Sequence, residues 1–129
     1  MKIVGLLMLP LLLIYLQDDK LAASKERGEE IYNDFCITCH MAVGEGIPGA
    51  FPPLAGSDYL LEQTDAAIKA VKYGQEGPLT VNGTTYNGIM TPLYLEDDEV
   101  MDVMNFILNS WGNKAPYVTL EKVQSVARE

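Results

Sequence analysis

The feature that most constrains this chain is the run Cys36-Ile37-Thr38-Cys39-His40, which holds both of its cysteines and its single histidine. Two thiols separated by two residues and followed directly by histidine form the pattern through which haem is attached covalently to protein. Each thiol can add across one vinyl group of the porphyrin, and His40 is then held beneath the iron as an axial ligand. The run therefore predicts one haem c, with its iron, joined to Cys36 and Cys39.

Three other interpretations of the same run are weaker. A structural zinc site needs four ligands from separated pairs, and this chain has no second pair. A dithiol redox motif accompanies alternating strands and helices, which the sequence does not show. A disulfide across two intervening residues closes a very short loop and gains little stability from chain entropy.

Size and charge limit the function further. The chain has 129 residues, of which 48% are hydrophobic, enough for one domain with a core. Its net charge of −9 argues against a nucleic-acid partner, because phosphate binding requires clustered Lys and Arg. The same charge permits docking onto a basic protein surface.

The N-terminal segment is predicted to lie outside the fold. One cation is followed by an apolar run over residues 3–16 and then by a polar boundary, which is typical of an export signal. The run would form about 21 Å of helix, shorter than the roughly 30 Å hydrocarbon core of a bilayer. However, no small-residue cleavage site follows it closely, so an uncleaved anchor that tethers the protein to a membrane stays open. We predict a periplasmic protein, or one on the outer face of the cytoplasmic membrane.

The remaining sequence predicts mainly helices with one small hairpin. Ser24 is a candidate cap for the first helix, and Asn82-Gly83 between β-favouring residues is a strong hairpin signal. The predicted elements are helices at 24–35, 65–73 (within a helical region from about 57), 97–111 and 120–128, and a hairpin near 79–86, with loops at 41–56 and 87–95. The predicted organisation is a leader or anchor over 1–23, a domain over 24–113 and a C-terminal extension over 114–129.

The second axial ligand must come from another residue type, because the chain has no second histidine. Met90 lies in a loop, which could wrap one face of a haem and direct a sulfur at iron. Met101 and Met104 fall on the apolar stripe of the last helix, where methionine is usually packing. Met90 is therefore the predicted ligand, although a buried loop methionine without a ligand role is the alternative.

These residues resemble a known family. The chain is similar to class I, single-haem cytochromes c, and most of all to the small cytochrome domains that accompany quinoprotein dehydrogenases and copper nitrite reductases. The resemblance rests on the haem motif and on these stretches: Gly28-x-x-x-Tyr32, Phe51-Pro52-Pro53-Leu54-Ala55-Gly56-Ser57, Gly77–Gly83, Tyr86-Asn87-Gly88-Ile89-Met90 and Asn109–Asn113. It implies an all-α class I cytochrome c fold packed around one haem.

The resemblance also implies roles for individual residues. His40 and Met90 would ligate the iron, the carbonyl of Pro52 would accept a hydrogen bond from the ring of His40, and Leu54 would pack against the haem. Because Pro53 is adjacent, the accepting carbonyl could belong to Pro52 or to Pro53. Gly28 and Tyr32 would meet Phe106 where the first and last helices cross.

Two departures from the family pattern stand out. Thr91 follows the ligand methionine where proline is common, and the last helix begins with Glu96 and further acidic residues rather than with Ser or Thr. The acidic run suits the positive end of the helix dipole. A solvated helix start is the favoured interpretation of this run over a docking patch.

Haem with both axial positions filled favours electron transfer over catalysis, so we predict an electron carrier rather than an enzyme. Its partners would be a redox donor and a redox acceptor, and it would be a monomer or a subunit of a redox complex. Three functions remain: a free or tethered electron shuttle, a permanent haem subunit of a dehydrogenase or reductase, and a haem-based gas sensor. The sequence speaks only against the third.

Overall fold

The computed structural model describes the backbone of residues 4–129 and the side chains from Pro10 onward. Within these residues, six helices and one hairpin follow each other in chain order. They are α1 (Val4–Phe35), α2 (Ile37–His40), α3 (Asp58–Glu62), α4 (Thr64–Tyr73), β1 (Leu79–Val81), β2 (Thr84–Tyr86), α5 (Asp97–Ile107) and α6 (Leu120–Ser125). The predicted mainly helical domain with a small hairpin near residues 79–86 is therefore confirmed.

Helix α1 is longer than predicted. The predicted start at Ser24 was wrong, because the helix already begins at Val4 and runs on to Phe35. Residues 11–27 consist largely of good helix formers and contain no glycine or proline, so nothing interrupts the helix there. Ser24 does not cap the helix; it lies buried inside it and donates a 2.6 Å hydrogen bond to Asp102.

From Leu11 onward, the apolar N-terminal run lies on an exposed part of α1. Its side chains from Leu11 to Leu16 are between 49% and 61% exposed, so they do not pack into the core. Ile3, the first residue of the predicted tether, falls outside the described residues. Within the described part, no helix combines the length and apolar character needed to cross a membrane.

Helices α1 and α5 cross in close contact at Gly28. A Cβ atom placed on Gly28 would lie 2.6 Å from the carbonyl carbon of Asp102 and 2.8 Å from Cβ of Phe106. Glycine is therefore required for this approach. The rings of Tyr32, Phe106 and Trp111 pack against one another beside it at tilted or edge-on angles, with centroids 5.0–5.4 Å apart. The predicted meeting of Gly28 and Tyr32 with Phe106 is confirmed.

A buried polar cluster joins the same two helices. Asp102, on the buried face of α5, accepts hydrogen bonds from Ser24 and from two nitrogens of Arg27 at 2.6–2.8 Å. Asn105 donates to Ser24 at 3.0 Å. Because each buried polar atom has a partner, the cluster fixes the rotation of α1 against α5 rather than weakening the contact.

Helix α5 ends earlier than predicted. The apolar stripe suggested a helix to Trp111, but the helix ends at Ile107. Polar side chains bind the last carbonyls, since Ser110 donates to the carbonyl of Phe106 at 2.6 Å and Asn113 to that of Ile107 at 2.9 Å. These bonds replace the next helical turn. At its start, the backbone N–H of Glu96 donates to Glu99, so an acidic residue completes this end of the helix.

The middle elements follow the sequence signals closely. Ser57 caps α3 by accepting from the N–H of Leu60 at 3.1 Å. Gly74 ends α4 with φ of 84° and ψ of 172°, a positive-φ conformation that is essentially confined to glycine. The hairpin turns at Asn82 and Gly83, both with positive φ, and pairs Leu79 with Tyr86 and Val81 with Thr84.

The C-terminal extension packs onto the domain. Thr119 caps α6 by accepting from the N–H of Lys122 at 3.1 Å, and the predicted helix ends at Ser125 rather than near residue 128. The amide of Asn105 donates to the carbonyl of Val118 at 3.0 Å and accepts from its N–H at 2.7 Å. Val118 and Val123 are buried, so the extension forms part of the same core.

Candidate haem site

A cavity of about 240 Å³ lies between the Cys36–His40 segment, helices α4 and α5, the hairpin and the loop before α5. Protein interiors contain few voids larger than a water molecule, whose share of liquid volume is about 30 Å³. A cavity several times larger indicates a binding site. Most of its walls are apolar, as shown by Phe51, Leu54, Leu60, Ala67, Val71, Leu79, Val81, Leu93, Val103 and Ile107.

Both cysteines line this cavity as free thiols. Cys36 follows α1 directly, with its N–H bonded to the carbonyl of Tyr32 at 2.9 Å, and α2 then carries Cys39 and His40. Burial, reinforced by the neighbouring Cys39, raises the pKa of the Cys36 thiol to about 11. Redox-active dithiols depend on a lowered thiol pKa, so this environment does not suit a dithiol oxidoreductase.

The ring of His40 is oriented by a backbone carbonyl. Its Nδ1 lies 2.9 Å from the carbonyl oxygen of Pro52, and not of Pro53, and since a carbonyl can only accept, Nδ1 carries the proton. Burial lowers the pKa of His40, and the bond to Pro52 partly opposes this effect. The neutral ring then keeps Nε2 as its lone-pair nitrogen. Such a hydrogen bond fixes the tautomer of a metal-binding histidine and raises its basicity.

The loop that carries Pro52 is itself tightly bonded. The carbonyl of Gly44 accepts from the N–H groups of Leu54 and Ala55 at 2.7 and 2.9 Å, and the N–H of Gly46 donates back to the carbonyl of His40 at 3.0 Å. The hydroxyl of Tyr32 donates to the carbonyl of Met41 at 2.6 Å, which joins α1 to the start of the loop. Leu54 lines the cavity beyond Pro52.

Met90 reaches the cavity from a separate segment. Its backbone forms a two-way bridge with Gln75, with both N–H to O distances at 2.9 Å, so the loop is pinned to the chain just after α4. Among the methionines whose side chains are described, Met90 alone lines the cavity. Met104 is fully buried in the core, and the sulfur of Met101 lies 3.5 Å from the hydroxyl of Tyr117. All six predicted site residues therefore line this cavity: Cys36, Cys39, His40, Pro52, Leu54 and Met90.

The sequence reasoning missed the contribution of the hairpin to the site. Leu79 and Val81 on β1 and Tyr86 on β2 line the cavity. Residues two apart share a face of a strand, and Tyr86 pairs with Leu79 across the hairpin. This alternation in the sequence could have indicated that the three side chains share one face of the hairpin. Tyr59, whose pKa is raised by burial, and Gln75 were missed as well, and no pattern in the sequence indicated either one.

The cavity lining has polar donors but no cationic side chain. Within the described residues, the hydroxyl and amide donors of the lining are Ser57, Tyr59, Gln75, Tyr86 and Thr91. A haem held here would find only neutral hydroxyl and amide donors of this kind in the lining, since neither Lys nor Arg is among the lining residues.

These observations together fit a covalently attached haem. A largely apolar cavity, two thiols on one wall, a histidine oriented through Nδ1 and a methionine from another loop supply every residue type that the group requires. The fold and the site thus define a helical haem-binding domain.

Comparison with known families agrees with this class. Residues 25–111 match the model of the cytochrome c family. Because this match covers more than half of the chain, the protein belongs to the cytochrome c family. Members of this family are electron carriers that hold haem c and its iron covalently.

Individual relatives support the same assignment. The chain is 40% identical over 98 residues to cytochrome c-552 of Thermus thermophilus, covering 72% of this chain and 66% of that protein. It is 34% identical over 93 residues to the cytochrome c subunit of a quinone alcohol dehydrogenase from Gluconobacter oxydans. That match covers 69% of this chain but only 19% of the subunit. A cytochrome c subunit of gluconate 2-dehydrogenase from Pantoea cypripedii is 30% identical over 128 residues, which is 29% of its length.

Proposed function

We propose that this protein transfers single electrons between redox proteins through a haem c with His40 and Met90 as axial ligands. Cys36 and Cys39 would hold the haem through thioether bonds. When bound, the haem supplies a one-electron iron couple. The observation that carries the proposal is that both candidate ligands line one cavity together with both thiols.

The residues around the cavity have separate tasks in this proposal. Pro52 holds the ring of His40 in the Nδ1–H tautomer, leaving Nε2 for the iron. The bridge to Gln75 holds the backbone of Met90. A methionine ligand raises the potential of a haem. The apolar walls, including Leu54, exclude water from the metal and keep both ligands in place.

Filled axial positions are the feature that separates electron transfer from gas sensing. We expect the reduced holoprotein to show no change in its visible spectrum on addition of carbon monoxide, because Met90 occupies the sixth position. Met90→Ala should bind the gas and shift the Soret band, whereas Met101→Leu, a methionine change outside the cavity, should not. Carbon monoxide binding by the unaltered protein would instead favour the sensor.

A second measurement covers the case in which Met90→Ala does not fold. Near-infrared magnetic circular dichroism of the oxidised, unaltered protein distinguishes a thioether sulfur ligand from nitrogen or water. A spectrum of nitrogen–nitrogen or nitrogen–water ligation would contradict the proposed role of Met90.

A permanent haem subunit of a dehydrogenase is the second candidate function. It is favoured by the relatives named as cytochrome c subunits of alcohol and gluconate dehydrogenases. Affinity purification at the natural expression level tests it. A stoichiometric enzyme partner that survives high salt would support the subunit, whereas isolation as a monomer would support the shuttle.

We further propose that the protein acts in the periplasm or on the outer face of the cytoplasmic membrane. The support is the apolar run over residues 3–16, of which Leu11–Leu16 are exposed. N-terminal sequencing of the holoprotein from separated soluble and membrane fractions tests this location. A start near Ala23 in the soluble fraction would indicate a cleaved signal, and an intact N-terminus in the membrane fraction would indicate a tether.

A further inference from the structure

The opening of the cavity carries exposed apolar side chains. Among the residues that line it, Phe35 is 48% exposed and Ile89 is 68% exposed. The loop that carries Ile89 lies close to a second segment of the lining, since a Cβ atom on Gly88 would lie 3.4 Å from the carbonyl oxygen of Ala50. We define the cavity rim as the exposed residues of the lining, namely Phe35, Ala50, Gly77, Gly88, Ile89 and Thr91.

The charges next to this rim are negative. The rim itself has no charged side chain, and the residues beside it in the chain include Asp34 and Glu76, both exposed. The asymmetry extends over the whole site. All of the cavity lining except Ala70 and Val71 comes from two stretches of the chain, residues 28–68 and 73–113. The first stretch contains seven carboxylates and the second contains six, and neither contains Lys or Arg.

The cations lie elsewhere, and several are already paired. Lys72 has a side chain only 10% exposed and lies 3.0 Å from Asp97. Lys122 of α6 pairs with Asp65, and Arg27 of α1 pairs with Asp102. The positive groups of the described chain are therefore confined to α1 before Gly28, to α4 and to the C-terminal extension, none of which contributes a cation to the cavity lining.

We propose that the cavity rim docks a redox protein whose contact surface has an apolar centre flanked by Lys and Arg. The inference rests on the proposed electron transfer and identifies the kind of partner that this function uses. Protein interfaces combine an apolar centre with a polar periphery. Here Phe35 and Ile89 would form the centre, and the exposed Asp34 and Glu76, which adjoin rim residues in the chain, would form part of the periphery. Complementary charge raises the association rate and selects the partner.

Small redox complexes of opposite charge test the local field. The reduced holoprotein is mixed by stopped flow with tris(phenanthroline)cobalt(III), an apolar cation, or with hexacyanoferrate(III), a polar anion. One electron leaves the protein and reduces Co(III) to Co(II) or Fe(III) to Fe(II). The rim variant Asp34→Asn/Glu76→Gln is compared with Glu26→Gln/Glu121→Gln, which removes the same charge from exposed positions away from the rim.

For a trivalent cation at low ionic strength, Coulomb's law predicts that the rim variant slows oxidation about tenfold and the matched variant about twofold. With hexacyanoferrate(III) the rim variant should react faster. Ile89→Ser should slow the apolar cation about threefold and leave the anion unchanged, because only the former gains from an apolar contact.

The outcomes separate this inference from the proposed function. If the two charge variants had equal effects, the acidic docking surface would be overturned. The proposed electron transfer would still be supported if the reduced protein did not bind carbon monoxide. Equal effects of Ile89→Ser on both complexes would overturn the apolar centre. Carbon monoxide binding by the unaltered reduced protein would contradict the proposed function itself, and the docking surface with it.

Discussion

The crossing of α1 and α5 allows the effect of Gly28→Ala to be worked out from the structure. In a helix interior, alanine is favoured over glycine by about 1 kcal/mol. The new Cβ would lie 2.6 Å from the carbonyl carbon of Asp102 and 2.8 Å from Cβ of Phe106. Neither atom can move away by a side-chain rotation, so one helix must shift.

Overpacking of a core costs about 1–3 kcal/mol, and a collision with backbone belongs at the upper end. After subtraction of the propensity gain, we expect Gly28→Ala to lower the free energy of unfolding by about 2 kcal/mol. For a chain of this length, that corresponds to a fall in Tm of about 8 °C. Thermal unfolding of the holoprotein, followed by far-ultraviolet circular dichroism, measures it.

The matched control is Gly88→Ala. Gly88 does not have positive φ, and its added Cβ would meet only the carbonyl of Ala50 at 3.4 Å, an ordinary contact. The free energy of unfolding of the Gly88→Ala variant should differ from that of the unaltered protein by no more than about 0.5 kcal/mol. If Gly28→Ala proved as stable as Gly88→Ala, or more stable than the unaltered protein, the inferred close approach of α1 and α5 would be incorrect.

Three further predictions concern the haem attachment and the core. Cys36→Ser/Cys39→Ser should abolish covalent haem, detected as haem staining on a denaturing gel, and retained staining would contradict the attachment. Asn105→Ala leaves both backbone polar groups of Val118 unpaired, so it should cost about 2 kcal/mol and expose residues 114–129 to limited proteolysis; unchanged resistance would argue against this anchor. Burial raises the pKa of Tyr32 from its ordinary value of 10.0, so its contribution to stability is complete below pH 10 and is lost as the pH rises towards the folded-state pKa. Urea midpoints at pH 8 and pH 11 should therefore differ less in Tyr32→Phe than in the unaltered protein, and an equal difference would contradict this role.

The part of the site that would attach the haem could be read from the sequence because haem attachment depends on local spacing. The two thiols and the histidine are neighbours in the chain, so their chemistry required no knowledge of the fold. Met90, which its loop position distinguished from the other methionines, lies in the cavity lining, and its role as a ligand stays a prediction. Tyr59 and Gln75 could not be found, because their place in the lining depends on how α3 and the end of α4 pack around the cavity.

The helix boundaries show where local signals stop being sufficient. Ser24 has the residue type of a helix cap, yet it serves as a buried partner of Asp102, 78 positions away in the chain. The end of α5 depends on Asn113 as well as on Ser110, and the amide of Asn113 is held by the carbonyl of Leu54 as well as by that of Ile107. Both outcomes were decided by partners distant in sequence.

The sequence by itself determined the covalent chemistry, the helical class and the hairpin, since each depends on residues within a few positions of one another. Tertiary structure alone decided which side chains meet around the cavity: that the carbonyl of Pro52, and not of Pro53, orients His40, and that Gln75 pins Met90. It also decided which segments form the cavity rim, and in the described chain the residues next to the rim include Asp34 and Glu76 but no Lys or Arg. These features depend on the packing of segments far apart in the chain, and no local pattern of residues encodes the distances between them.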